Sequence, residues 1–160
     1  MTHRSAYLLV ILAACGGGAQ SPAPVDTATS PDAAVRFFMQ AVADSNISRM
    51  GRYWGSVGGP AAQTGQPPDY ITRMAVTQAY LRKTPYRIVR VDPVVGNATR
   101  NTVSVSLTRT DLDGTTCEKL VPFIVLNTGK EGWIITALDL TQVGTPGHSC
   151  AGVAPKSPSP

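Results

Sequence analysis

The sequence predicts an α+β domain in which two or three helices pack on one face of a four-stranded antiparallel sheet. Three observations carry the prediction. Val103, Val105 and Leu107 alternate with Thr102, Ser104, Ser106 and Thr108, the period of two of a strand with one buried and one wet face. Asp111-Leu112-Asp113-Gly114 and Asn127-Thr128-Gly129-Lys130-Glu131-Gly132 separate apolar runs and supply hairpin turns, because Gly, Asp and Asn tolerate the backbone of a tight turn. Upstream, Val35, Phe38, Met39 and Val42 fall at i, i+3, i+4 and i+7, the apolar stripe of an amphipathic helix. Helices followed by a run of hairpin-linked strands define this class. At 160 residues and 42% hydrophobic content, the chain fits one globular domain.

Met1 to Ala14 has the layout of a secretion signal: Arg4, an apolar core from Ala6 to Leu12, then small residues. That core is shorter than the roughly 20 apolar residues a spanning helix needs. Leu12-Ala13-Ala14-Cys15 resembles the lipobox of bacterial lipoproteins. The resemblance implies cleavage before Cys15, a diacylglyceryl group on its sulfur and attachment to a membrane. Gly16, where some lipoproteins carry Asp, implies the outer membrane facing the periplasm if the organism has two membranes. The plainer alternative is an ordinary signal with an incidental Cys. Gly16 to Thr29 is Gly, Ala, Ser and Pro with the single acid Asp26, a composition that reads as a flexible tether. Ala151 to Pro160 has the same character and reads as a disordered tail, which leaves residues 30–150 as the folded domain.

Ser30-Pro31-Asp32 opens the first helix: Ser caps free amides, Pro31 loses nothing at the first helical position and Asp32 suits the positive end of the dipole. Asp44-Ser45-Asn46 ends it, and Ile47 to Trp54 reads as a short second helix presenting Ile47, Met50 and Trp54. Gly55 to Gln66, with four glycines and one proline, reads as a loop. Tyr70 to Lys83 reads as a third helix with Ile71, Met74 and Leu81 on its stripe, interrupted by Thr77 and Gln78 and stopped by Pro85.

Tyr86 to Val95 is the first strand, rich in Ile and Val, with Pro93 limiting its ladder. The second strand, around Thr102 to Thr108, should place its Thr and Ser residues outward, so a dimer through that face would be wet or absent. The third, Thr116 to Leu126, is apolar on both faces along Val121 to Leu126, which predicts cover on each side. Pro122 within it calls for a bulge or a position where its missing donor faces no partner. The fourth runs from Trp133 to Leu140.

A capped opening helix with Phe38 and Ala41, a break at Asp44-Ser45-Asn46 and strands closing on Gly132-Trp133-Ile134-Ile135 resemble the NTF2-like (SnoaL-like, cystatin-like cone) superfamily over about Ser30 to Leu140. The resemblance implies a sheet curved around the first helix with a conical pocket between them. Some members are isomerases, dehydratases or cyclases that use an acid or His with Tyr in the cone, and many are binding or assembly modules that dimerise through the sheet.

Candidate site residues are few. His3 falls in the signal and His148 in the tail, so the predicted core holds no His. Asp139, on the last strand, is the weak candidate for a catalytic base, against the alternative of a solvated or Arg-paired strand-end carboxylate. Trp54, Tyr70, Tyr80 and Trp133, with Tyr53, are candidates for lining a pocket or simply for the core. Lipidation of Cys15 leaves Cys117 and Cys150, which in an oxidising compartment have reason to form a disulfide. Two free thiols or a redox pair are the alternatives, and no Cys-x-x-Cys spacing favours the latter.

No metal-ligand cluster, phosphate loop or cofactor motif is present in the sequence, and none is expected to be needed. Without Arg4 the mature chain carries 13 Lys+Arg against 10 Asp+Glu, a formal net charge of about +3, which gives no argument for nucleic acid. Arg82, Lys83, Arg87 and Arg90 form a basic run, read as a solvated face or, less readily, a contact to anionic headgroups or an acidic partner. Asn97-Ala98-Thr99 fits a glycosylation sequon, to which a bacterial lipobox gives no weight. The expected function is a non-catalytic ligand-binding or protein-assembly module in the cell envelope, taking a small apolar ligand or an envelope protein, with oligomerisation open. The alternatives are a small isomerase- or dehydratase-type enzyme using Asp139 or a Tyr, and a purely structural envelope component.

Overall fold

The structure, a computed structural model, describes residues 27–150. The signal segment, Cys15, most of the tether and the 151–160 tail lie outside the described residues. The elements follow in the order α1 (Pro31–Ala43), α2 (Ile47–Arg52), β1 (Gly55–Ser56), β2 (Gly59–Pro60), α3 (Ala61–Thr64), α4 (Tyr70–Leu81), β3 (Tyr86–Val94), β4 (Asn97–Thr110), β5 (Thr116–Asn127), β6 (Trp133–Leu138) and α5 (Leu140–Val143). β3-β4-β5-β6 form one antiparallel meander with helices packed against it, the α+β class the sequence predicts. None of the described helices is long and apolar enough to cross a membrane.

α1 starts where its capping residues dictate. Ser30 Oγ accepts from the Ala33 amide and donates to Asp32 at 2.6 Å, with Pro31 at the first position. Its predicted stripe, Val35, Phe38, Met39 and Val42, is buried, and α1 lies against β4, β5 and β6. Val103, Val105 and Leu107 of β4 meet it from the sheet with Val121, Phe123 and Val125 of β5, which makes one continuous core. Register shifts at Ile88/Arg90, Pro93/Val94 and Ile124/Val125 mark bulges, and bulges bend a strand and increase its twist.

Several expectations are corrected by tertiary context. Ile71 is 49% exposed, and the buried stripe of α4 is Met74, Thr77 and Leu81, because this helix rests chiefly on α1, α2 and α5 instead of lying flat on the sheet. Gly55 to Gln66 is not a plain loop: it holds the β1–β2 pair and the α3 turn, possible because Gly55 has no Cβ to collide with the Gly59 carbonyl. The last strand stops at Leu138, since Asp139 turns away to cap α5. The stretch read as tether already contributes to the domain at its end. Ala28 is buried, and its carbonyl accepts from the Trp133 amide at 2.9 Å.

The outer face of the sheet is drier than expected at β4. Ser104 and Ser106 are each only 5% exposed, because their cross-strand neighbours Arg87, Arg90, Leu120 and Pro122 flank them and Ser106 donates to Glu118. Leu120, one residue before the Val121 to Leu126 run for which cover is predicted, is 58% exposed. The second face of β5 is therefore open at that point. Pro122 sits opposite Ser104, and β6 begins pairing only at Phe123, so no ladder bond is lost on that edge. The free edge strand β3 carries Arg87, Arg90, Asp92, Pro93 and two bulges, features that discourage pairing with another chain.

Candidate functional site

An open, mainly apolar groove of about 430 Å³ lies between α4, β6 and α5. α1 supplies its floor through Phe38, and Trp54 closes it from the segment after α2. Met74, Val76 and Thr77 line it from α4, Thr136 and Leu138 from β6, and Leu140 from α5. Two features of the chain create the space. α4 stands on the other helices, as its contacts show, and the facing positions Thr77, Thr136 and Ala137 are small. Arg73 is the ionisable residue of the lining, and it is ion-paired with Asp69 at 2.9 Å on the helix surface. The groove can therefore hold an apolar molecule by burial, with threonine hydroxyls at its margin.

Of the aromatic candidates, the structure brings Trp54 to this groove. Tyr80 lines a different cleft at the far end of α4, Tyr70 packs over Gly51, and Trp133 packs at the margin of the core. Tyr53 is buried, with its ring centroid 5.3 Å from that of Phe37. The sequence reading missed Phe38, Met74, Thr77, Thr136, Leu138 and Leu140 as lining residues. Thr77 carried a usable signal, a polar residue on the inward side of a helix.

Asp139 is not placed for catalysis in the groove. It is exposed and caps α5, accepting from the Thr141 hydroxyl at 2.7 Å, the Thr141 amide at 2.9 Å and Gln142 at 3.1 Å. These bonds, the Thr141 hydroxyl first, hold its pKa below the usual carboxylate value. A general base of the isomerase type needs burial and a raised pKa, the opposite environment.

Cys117 and Cys150 are joined by a disulfide with their Cα atoms 5.6 Å apart. The bridge fastens the end of the domain to β5. Beside it, Ser149 and Cys150 donate their amides to the carboxylate of Asp111. Next to these lies a residue that the sequence reading passed over. Arg109 continues the inward row Val103-Val105-Leu107 and is 6% exposed. Its Nη1 donates to the Tyr80 carbonyl at 2.8 Å and the Thr84 hydroxyl at 2.6 Å, and its Nε to Ser149 Oγ at 3.0 Å. Tyr80 belongs to the last turn of α4, where carbonyls lack intrahelical partners and a cation is favoured. Burial lowers the Arg109 pKa, opposed by the charge of Asp111, yet a guanidinium stays protonated. The basic run read as one face is divided: Arg82 and Lys83 border this cleft, Arg87 pairs with Glu118, and Arg90 pairs with Asp92. Among the described residues, no cluster of three His, Cys, Asp or Glu is arranged to hold a metal.

No protein-family model matches the chain, and no curated protein does. Among solved structures, the chain is similar to a putative calcium/calmodulin dependent protein kinase II association domain from Xanthomonas campestris. The two share 13% identity over 66% of this chain and 84% of that one, with a TM-score of 0.41. The α+β architecture stated above stands on this chain's own elements and register.

Proposed function

We propose that the chain is a lipid-anchored envelope protein whose NTF2-like domain is a non-catalytic binding module, taking a small apolar ligand in the groove between α4 and β6. The observation that carries the reading is the lining of that groove: Phe38, Trp54, Met74, Val76 and Leu138, with Arg73 the ionisable member and already paired. Its volume of about 430 Å³ lies within the usual range for small-molecule sites. Anchoring through Cys15 rests on the Leu12-Ala13-Ala14-Cys15 sequence, and the pairing of the other two cysteines fits export to an oxidising compartment. An outer-membrane position facing the periplasm follows from Gly16 if the organism has two membranes.

The test uses Nile red as an apolar probe. Its emission should rise on binding to the parent protein, and dodecanol should compete. Val76→Glu and Ala137→Glu, at exposed lining positions that do not support the core, should weaken binding about tenfold. Unchanged binding by both folded variants would overturn the assignment. Intact mass of protein taken from host membranes tests the anchor, and an unlipidated Cys15 would remove it.

A second reading, assembly with an envelope protein through the outer sheet face, is favoured by one observation. Leu120 is 58% exposed beside half-buried Pro122 and Ile124 on the same face. Leu120→Glu should then abolish co-purification of that partner while leaving Nile red binding intact.

A further inference from the structure

We propose that the cleft at the C-terminal end of α4 is a binding site for a phosphate-type oxyanion, with Arg109 at its base and Arg82 and Lys83 at its mouth. The cleft has a volume of about 260 Å³ and lies between the end of α4, the end of β4 and the Pro146-Gly147 turn. Arg109 is 6% exposed, and its Nη1 and Nε are committed to Tyr80, Thr84 and Ser149. Its Nη2 donates to no described residue, and no buried side-chain nitrogen or oxygen among the described residues is sealed off without a partner. Nη2 therefore keeps some contact with solvent, and Arg109 is among the residues that line the cleft. A guanidinium whose other donors fix its plane presents a pre-oriented N–H pair, the arrangement suited to an oxyanion.

The charge around it points the same way. Arg82 and Lys83 are exposed and border the cleft, and neither has an ion pair among the described residues. The nearby carboxylate, Asp111, opposes them and keeps its full charge, with both oxygens accepting from the neutral amides of Ser149 and Cys150. Three cations against one carboxylate and the carbonyl end of α4, whose Tyr80 carbonyl Arg109 already satisfies, leave the cleft net electropositive. A doubly charged phosphate gains more from three cations than a carboxylate does. The phosphate group can come from free inorganic phosphate or from a lipid headgroup.

The experiment is a titration of the full chain with inorganic phosphate at constant ionic strength, read as the thermal unfolding midpoint. The parent should gain about 4 °C or more by 20 mM phosphate, whereas the same ionic strength of chloride gives no such rise. Because Arg109 also holds the fold together, the decisive variant is the surface pair Arg82→Ala/Lys83→Ala, which should weaken phosphate binding tenfold or more. Arg36→Ala, at an exposed arginine on α1 away from both cavities, should bind like the parent. An equal response in parent and Arg82→Ala/Lys83→Ala, or none beyond that to chloride, overturns the proposal. Flotation with phosphatidylglycerol vesicles separates the sources. Capture lost in Arg82→Ala/Lys83→Ala assigns a headgroup, and phosphate binding in solution without capture assigns the free ion.

Discussion

Removing the Cys117–Cys150 bridge gives the sharpest prediction. The bridge closes a separation of 33 residues, which in the chain-entropy account corresponds to about 3.7 kcal/mol at 25 °C. Replacement of both cysteines by Ala adds a small packing loss, since both are buried, so the expected destabilisation is about 4 kcal/mol. Against the roughly 5–15 kcal/mol of a typical domain this is a large fraction, equivalent to a fall of roughly 10–20 °C in the unfolding midpoint. The bridge also keeps Ser149 in place for Arg109 and the two terminal amides in place for Asp111, so its loss loosens the C-terminal corner first. The assay is equilibrium urea unfolding followed by Trp54 and Trp133 fluorescence, comparing oxidised parent, parent in reductant and the Cys117→Ala/Cys150→Ala variant. Reduced parent and variant should agree within about 1 kcal/mol. A loss below about 1 kcal/mol, or reactive thiols at both positions in unreduced protein from the host, would refute the reasoning.

Three further predictions follow from named contacts. Gly132→Ala should cost about 3 kcal/mol, because its φ is +74° and the new Cβ would meet the Ala28 carbonyl, whereas Gly129→Ala at φ +73° in open space should cost only about 1 kcal/mol; urea unfolding of the pair measures the difference. Arg109→Met should cost about 2–3 kcal/mol, since it strips partners from the Tyr80 carbonyl and two hydroxyls, and hydrogen exchange should show the last turn of α4 fraying. Stability should also fall on acidification below about pH 4. The Ser30 hydroxyl lowers the folded pKa of Asp32, so that carboxylate stabilises the fold above its unfolded value and ceases to do so as pH falls through the folded one; Asp32→Asn should flatten the acid limb of a stability–pH curve.

Most of the fold was legible because its determinants are local. Ser30-Pro31-Asp32 caps α1 with groups at most three residues away, and the strand order follows from Asp113-Gly114 and the Asn127 to Gly132 turn. The candidate site was legible only through Trp54. Phe38, Met74 and Leu138 meet across the groove from elements far apart in the chain, and no window contains all three. Asp139 illustrates the same limit at short range. The sequence put it on the last strand, but the hydrogen bonds of a cap two residues on turned it out of the sheet.

The sequence by itself determined the α+β class, the four strands and their turns, the stripe of α1 and the residues available for a disulfide, since each depends on periodicity, capping or composition along the chain. Tertiary structure alone decided that Ser104 and Ser106 are shielded, that Leu120 is left open, that Cys117 and Cys150 adjoin and that Arg109 is buried. Those outcomes depend on which side chains arrive from other elements. Arg109 reaches Thr84, Tyr80 and Ser149 across separations of 25, 29 and 40 residues, and only the folded chain brings such groups within hydrogen-bond distance.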